Sequence, residues 1–194
     1  MIATDPSTHL FWITSRAAGS VALLTASAAV CLGLLMSTRV LARLPRIETR
    51  VAHEILSLSC MVAIAIHALS LIGDQYLRPS LLDVAVPFAS SYKTVWTSIG
   101  IVAGWGLIVL GVSYYARNRI GTARWRKLHR FTALAWLLGL VHTLGEGSDA
   151  GQAWFLAMIG IVSVPPLALL AWRTVGGMRS SRPAQPAVSG AAAR

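Results

Sequence analysis

Charged side chains are scarce in this chain. They make up 12% of its 194 residues, whereas 55% of the residues are hydrophobic. Soluble globular domains carry about 25% charged residues, so the composition is far from that of an ordinary soluble fold. Acidic residues are the rarest, with seven aspartates and glutamates against 17 lysines and arginines. The composition therefore predicts an all-α integral membrane protein.

Motifs of closely spaced cysteines and nucleotide-binding motifs are also missing. The two cysteines, Cys31 and Cys60, have no CxxC or CxxCH spacing, which argues against a zinc site and against covalently attached haem. No GxGxxG follows a strand-like run, so a dinucleotide-binding unit is not expected. Residues 1–10 lack the basic segment and cleavage site of a secretory signal, so we expect the first apolar segment to be retained.

Long apolar windows fill most of the chain. A span of about 20 residues, rising 1.5 Å per residue, crosses about 30 Å of hydrocarbon. Stretches such as Val21–Met36 and Ile99–Val112 are apolar or small on every side, which is typical of helices in lipid. The windows lie near 11–37, 47–73, 93–116, 128–146 and 152–174. They predict a bundle of five transmembrane helices.

The basic residues are segregated along the chain. Fourteen of the 17 lie in 39–50, in 117–130 or from 173 onward. The positive-inside rule then places the N-terminus outside and the C-terminus in the cytoplasm of a multi-pass plasma-membrane protein. Topology accounts for the net charge of +10, and no nucleic-acid partner is expected. We expect an external segment 1–10, a helical domain 11–175 and a disordered cytoplasmic tail 176–194.

Four histidines fall inside the predicted spans, where ionisable side chains are costly and mark functional sites. His53 and His67 are 14 residues apart on the second span, and His129 and His142 are 13 apart on the fourth. These steps rise about 21 Å and about 19.5 Å. Because both spans run from inside to outside, His53 should meet His129 near the cytoplasmic surface and His67 should meet His142 near the outer surface.

The angular phase of these histidines is a second test. A step of 14 residues keeps His53 and His67 on one helix face, whereas a step of 13 leaves His142 about 140° away from His129. We expect a π-bulge or kink near Gly139 to restore the phase, since such distortions occur at functional sites.

The type of metal follows from the ligand set. Imidazole binds iron, copper and zinc alike. Two histidines with no nearby carboxylate or thiolate make a poor tetrahedral zinc site, whereas haem supplies four nitrogens and needs only two axial ligands. We predict two b haems with bis-histidine ligation, the inner one at His53 and His129 and the outer one at His67 and His142.

Other side chains are candidates for contacts with these haems. Arg16, Arg130, Arg50 and Arg126 could bind haem propionates, although arginines at such positions also snorkel to headgroups or mark topology. Trp136 lies about midway between His129 and His142 and could bridge the two haems, although core packing is the commoner role for a tryptophan.

The pattern His53-x13-His67, followed two helices later by His129-x12-His142, resembles the ferric reductase-like transmembrane domain. This domain occurs in ferric reductases, in NADPH oxidases and in the haem-binding subunit of the periplasmic methionine sulfoxide reductase system. The resemblance covers roughly residues 10–175. It implies an inner and an outer haem, with electrons passing from a cytoplasmic flavin or a membrane quinol to an external acceptor.

The chain also departs from this pattern. It lacks the first helix of six-helix members and the flavin and nicotinamide domains of the full reductases. The resemblance therefore implies a haem subunit, part of an oxidoreductase, that serves a separate reductase or flavoprotein or takes electrons from a quinol.

Two other readings remain open at this point. A membrane transporter or metal carrier could use the histidines to relay protons or bind a transition metal ion. That function predicts acidic partners at mid-membrane depth, and the candidates, Glu48 and Glu54, lie near the predicted inner surface. A purely structural membrane subunit would leave the matched histidine heights as a coincidence.

Overall fold

The structure, a computed structural model, describes residues 9–38, 46–147 and 149–180. Within these ranges the chain is helical and contains no β-strand. The helices are α1 (Leu10–Ser37), α2 (Arg46–Ile72), α3 (Leu81–Ala85), α4 (Thr94–Val112), α5 (Arg117–Ile120), α6 (Thr122–His129), α7 (Thr132–Glu146) and α8 (Ala153–Ser180). Four of them are long and apolar enough to cross a membrane, namely α1, α2, α4 and α8. This architecture is consistent with a multi-pass membrane protein.

The fourth predicted span, 128–146, differs from the prediction because the chain breaks at Arg130 and Phe131. The break separates α6 from α7, which has 15 residues. A helix of that length rises about 22 Å, less than the thickness of the hydrocarbon core. The sequence of α6, TARWRKLH, is too basic for hydrocarbon. The structure therefore supports four spanning helices, and the predicted count of five is not confirmed.

The break lies directly after His129. Phe131 donates its backbone N–H to the carbonyl of Leu128 at 3.0 Å, and Ala133 donates to Arg130 at 3.3 Å. Backbone hydrogen bonds between residues three apart, as in a 3₁₀-helix, turn the chain by about 120° per residue, whereas an α-helix turns it by about 100°. Helix α7 continues without interruption through Gly139, so the distortion that we expected there lies at the start of α7 instead.

Helix directions follow from contacts between helix ends. Ser15, near the start of α1, is hydrogen-bonded to His67, near the end of α2, so these helices are antiparallel. The carbonyl of Trp96, near the start of α4, binds His142, near the end of α7. Helix α2 packs along α1, α7 packs along α4, and α8 packs on α1.

The centre of the bundle is filled by Trp136, which is 1% exposed. Its indole N–H donates to Ser27 Oγ at 2.9 Å, so the polar atom of the buried ring is satisfied. The ring packs with Ala26 of α1 and Cys60 of α2. A second buried cluster joins α1, α7 and α8 through Leu23, Leu140, Phe155 and Ile159.

The connection between α2 and α4 contains the short helix α3. Hydrogen bonds from Ser80 to Asp83 cap its start and lower the pKa of the Asp83 carboxyl. Further along, Phe88 donates its backbone N–H to Ser98 Oγ at 2.8 Å, and the indole of Trp105 donates to the carbonyl of Ala85 at 2.9 Å. These bonds hold the connection against the side of α4.

Helix α8 continues to Ser180, beyond residue 176, where the disordered tail was predicted to begin. The rest of the predicted tail, residues 181–194, lies outside the described residues. The same is true of residues 1–8 of the predicted external segment and of the basic residues Arg39 and Arg43.

Replacing Trp136 with alanine should lower the free energy of unfolding by about 3 kcal/mol, because it leaves a cavity at the helix junction and strands the Ser27 hydroxyl. Thermal unfolding of the purified protein in detergent measures the change. Trp172→Ala is the matched control, since Trp172 is 56% exposed on α8. Equal melting temperatures for the two variants would contradict the assigned core.

Candidate functional site

The four histidines of the helical bundle lie in two facing pairs. The ring centroids of His53 and His129 are 6.1 Å apart, with an angle of 60° between the ring planes. Those of His67 and His142 are 6.4 Å apart, with an angle of 72°. The pairing and the parallel direction of α2 and α7 are those predicted from the helical rise.

The two pairs lie at opposite ends of the bundle. The pair His53–His129 is at the end that carries α5 and α6, which we call the basic end. The pair His67–His142 is at the end that carries Asp74, Glu146 and Asp149, which we call the acidic end. One histidine pair therefore lies near each end of the bundle.

The separation within each pair suits a metal ion shared by two imidazoles. A bond from a ring nitrogen to a transition metal is about 2 Å long, and the ring nitrogen lies roughly 1 Å from its centroid. Two such bonds on opposite sides of one ion separate the centroids by about 6 Å. The observed 6.1 and 6.4 Å agree with this separation of the centroids.

The helices that carry the histidines are held apart. Helix α2 has α1 as its main neighbour and α7 has α4, while α2 and α7 are not among the closely packed pairs of the described residues. The facing imidazoles thus come from two different helix pairs, α1 with α2 and α4 with α7, with His129 at the end of α6. A flat ligand with one histidine on each side would have to lie between these helix pairs.

The rings at the acidic end are fixed by backbone carbonyls. His67 Nδ1 lies 2.8 Å from the carbonyl oxygen of Ser15, and His142 Nδ1 lies 2.9 Å from that of Trp96. A carbonyl accepts and never donates, so Nδ1 carries the proton in both rings. Each Nε2 is then left with a free lone pair, which is the form of imidazole that ligates a metal.

The basic-end pair is held differently. The ring of Trp125 stacks on His129 with centroids 4.9 Å apart, and Trp125 donates its indole N–H to Ser113 Oγ at 3.2 Å. The ring of His129 also lies next to the backbone of Leu110 on α4. Sequence reasoning missed Trp125, although its position one turn before His129 is the spacing at which helical side chains meet.

Two glycines of α1 face the histidines of α2. A Cβ added to Gly19 would lie 3.0 Å from His67 Nδ1, and one added to Gly33 would lie 3.2 Å from His53 Nε2. Both rings therefore pack directly against the backbone of α1. The glycines are 14 residues apart, the same step as the two histidines, and this matched spacing is a signal that the sequence already contained.

The arginines predicted to bind propionates have different surroundings. Arg16 forms an ion pair with Asp149 and lies 4.3 Å above the ring of Trp12. Within the described ranges this is the one ion pair, so Arg50, Arg126 and Arg130 have no carboxylate partner there, and all three are exposed. Contact between any of the four arginines and a propionate stays a prediction.

Trp136 lies between the levels of the two histidine pairs, as its position in the sequence predicted. Its burial and its bond to Ser27 show that it packs the core. A role in electron transfer between two haems stays a prediction for this residue.

The two acidic residues considered for a proton relay or metal carrier lie towards the basic end of the bundle. Glu48 is exposed, and Glu54 accepts a hydrogen bond from the hydroxyl of Tyr115 at 2.7 Å. Across the residues that the structure covers, no cluster of three or more His, Cys, Asp or Glu side chains could hold a metal ion. A haem iron takes at most two side chains from the protein, so a haem site would not appear as a cluster of three.

No family model, curated protein or solved structure matches this chain. The resemblance to the ferric reductase-like transmembrane domain therefore depends on the histidine pattern alone and stays a prediction.

Gly100→Ala should disturb the acidic-end site selectively. The added Cβ would lie 2.5 Å from His142 Nδ1, so the ring would have to leave the carbonyl of Trp96. We expect the haem content of the purified protein to fall by about half. Gly104→Ala is the control on the same helix, because its Cβ meets Ile64 at an ordinary 3.4 Å. Equal haem contents in both variants would argue against His142 as a ligand.

Proposed function

We propose that this protein is a transmembrane b-type cytochrome that binds two haems and carries electrons across a membrane. The observation that carries the proposal is the presence of two facing imidazole pairs, at opposite ends of the helices, with separations of 6.1 and 6.4 Å. One pair alone could be a packing contact between helices. Two pairs with the same separation at two levels favour a repeated ligand.

Haem fits the surroundings of these pairs better than a metal ion held by protein groups alone. Each pair offers two imidazoles, and among the described residues no third His, Cys, Asp or Glu side chain joins them as a metal ligand. His53 and His129 would hold one haem, and His67 and His142 the other. Bound haem supplies one-electron transfer without any change of covalent bonds in the protein.

The side chains around the pairs have separate tasks in this proposal. The carbonyls of Ser15 and Trp96 hold the Nδ1 protons and so keep both Nε2 atoms at the acidic end available as ligands. The buried ring of Trp136 excludes water from the space between the two levels. Glycines on α1 and α4 let the imidazoles approach the backbone closely.

In the membrane, we propose that the basic end faces the cytoplasm and the acidic end faces outward. The chain would then cross five times, with α7 and the end of α6 together forming the fourth passage. Electrons would enter from a cytoplasmic flavoprotein or a membrane quinol and leave to an external acceptor. The protein would act as the haem subunit of a plasma-membrane reductase system, similar to the ferric reductase-like domains.

Removing single histidines should remove single haems. His67→Ala and His142→Ala should each lower the haem content from two per chain to about one, and so should His53→Ala and His129→Ala. The Soret absorbance and the haem-to-protein ratio of the purified variants measure the loss. The remaining haem should still shift its Soret band on reduction with dithionite.

The fifth histidine provides the control for this experiment. His9 is exposed and lies outside both pairs, so His9→Ala should keep two haems. A colourless wild-type protein from haem-replete cells, or full haem content in all four ligand variants, would contradict the proposed function.

The proposed orientation is tested by labelling cysteines from outside the cell. Ser91 is exposed in the connection before α4, and Arg119 is exposed in α5. In a background without Cys31 and Cys60, a membrane-impermeant maleimide should label Ser91→Cys in intact cells and Arg119→Cys only after lysis. The reverse pattern would show that the basic end faces outward.

A further inference from the structure

The connection between α2 and α4 contains an unbroken apolar run, residues 84–89, which we call the apolar tip. Its sequence is VAVPFA, without a charged, hydroxyl or amide side chain. Val86 is 44% exposed and Phe88 is 73% exposed. Phe88 also has a positive φ of 66°, a conformation that is rare for a bulky residue. Glycine or asparagine is the usual residue at such a turn in water, so the phenyl ring at this position needs a separate reason.

A hydrogen bond fixes the level of the tip along α4. The indole N–H of Trp105 donates to the carbonyl of Ala85 at 2.9 Å. Trp105 comes 11 residues after Thr94, the first residue of α4, which is a rise of about 16 Å. An indole nitrogen reaches roughly 5 Å from its Cα, and in a helix the side chain leans towards the N-terminus. The carbonyl of Ala85 therefore lies at least about 8 Å inside the first residue of α4.

The tip lies on a face of α4 that points away from the other helices. Helix α4 is one of the helices long and apolar enough to cross a membrane. Val102, Trp105 and Val109 share one side of it at helical spacing, and they are 46, 51 and 59% exposed. An apolar, exposed face within a spanning helix contacts lipid. Lipid offers no acceptor for the indole of Trp105, and the tip provides one.

The backbone of the tip is suited to a medium without water. Val86 donates its N–H to a carbonyl of the connection at 2.8 Å, and Ala89 does so at 3.3 Å. Phe88 donates its N–H to Ser98 Oγ at 2.8 Å, and Pro87 has no N–H to satisfy. Every backbone donor from 86 to 89 is thus paired within the protein, which hydrocarbon requires.

The polar residues of the connection lie outside the tip. Arg78 and Ser80 precede α3, and the carboxyl of Asp83 in its first turn accepts bonds from the hydroxyl and the backbone N–H of Ser80. Lys93, the N-cap of α4, follows the tip. The connection therefore changes from polar to apolar and back to polar, as expected for a segment that enters and leaves a membrane surface.

We propose that the apolar tip inserts below the lipid headgroups at the acidic end of the bundle, where Val86 and Phe88 contact acyl chains. Lipid is thus the partner of this exposed surface. Packing of α3 on α2 and the bond from Trp105 hold the tip beside both helices. Insertion depends on α4 crossing the membrane and not on haem, so the proposal goes beyond the proposed function and is tested separately from it.

Spin labels on single cysteines test the insertion. In a background without Cys31 and Cys60, Val86→Cys and Phe88→Cys are labelled with a nitroxide, and each full-length protein is placed in bilayers of phosphatidylcholine. Oxygen concentrates in hydrocarbon, whereas a nickel chelate stays in water, and both collide with accessible labels. We expect the ratio of oxygen to nickel collisions at both positions to exceed that of Ser91→Cys several-fold. Val86 and Phe88 are exposed, so their replacement opens no cavity in the protein.

Two control positions define the limits of this ratio. Ile161→Cys is the lipid control, because Ile161 is 74% exposed within the span of α8. Ser91, exposed and just past the tip, gives the water control. Ratios at 86 and 88 that match Ile161 would support the insertion, and ratios that match Ser91 would overturn it. Low collision rates with both reagents would place protein on the tip, such as a second copy of this chain, and would also overturn lipid as its partner.

Discussion

Two pairs of imidazoles that face each other between two helix pairs are the constraint on which the rest of the structure depends. Helix α2 packs mainly against α1 and α7 mainly against α4, and Trp136 of α7 meets Cys60 of α2 between the two histidine levels. In lipid, the second nitrogen of each ring needs a partner, and at the acidic end the backbones of α1 and α4 provide one. The supporting helices thus set both the distance between the histidine helices and the orientation of the rings.

The same arrangement explains the distribution of small and large residues. Glycines lie where an imidazole meets the neighbouring backbone, as Gly19 does at His67. A bulky ring, Trp136, lies where no ligand is proposed, between the two levels. Charged residues are left at the two ends, with most of the described basic side chains at the end of His53 and His129 and with Asp74, Glu146 and Asp149 at the other. In the proposed electron carrier, one haem would then lie near each surface.

The pairing of the histidines could be predicted from sequence because axial rise depends only on residue number. The break at Arg130 and Phe131 was not predicted, and the distortion was expected near Gly139 instead. The basic composition of TARWRKLH was the available sign that the fourth span begins late. The carbonyl partners of His67 and His142 could not be predicted, because every residue carries the same backbone acceptor and only packing selects one.

The most direct test of the central claim is low-temperature electron paramagnetic resonance of the oxidised wild-type protein, combined with its haem-to-chain ratio. Two bis-imidazole sites predict two haems per chain and low-spin ferric signals that account for both of them. A protein with no haem, or with predominantly high-spin iron, would show that the facing histidines do not share an iron and would contradict the account.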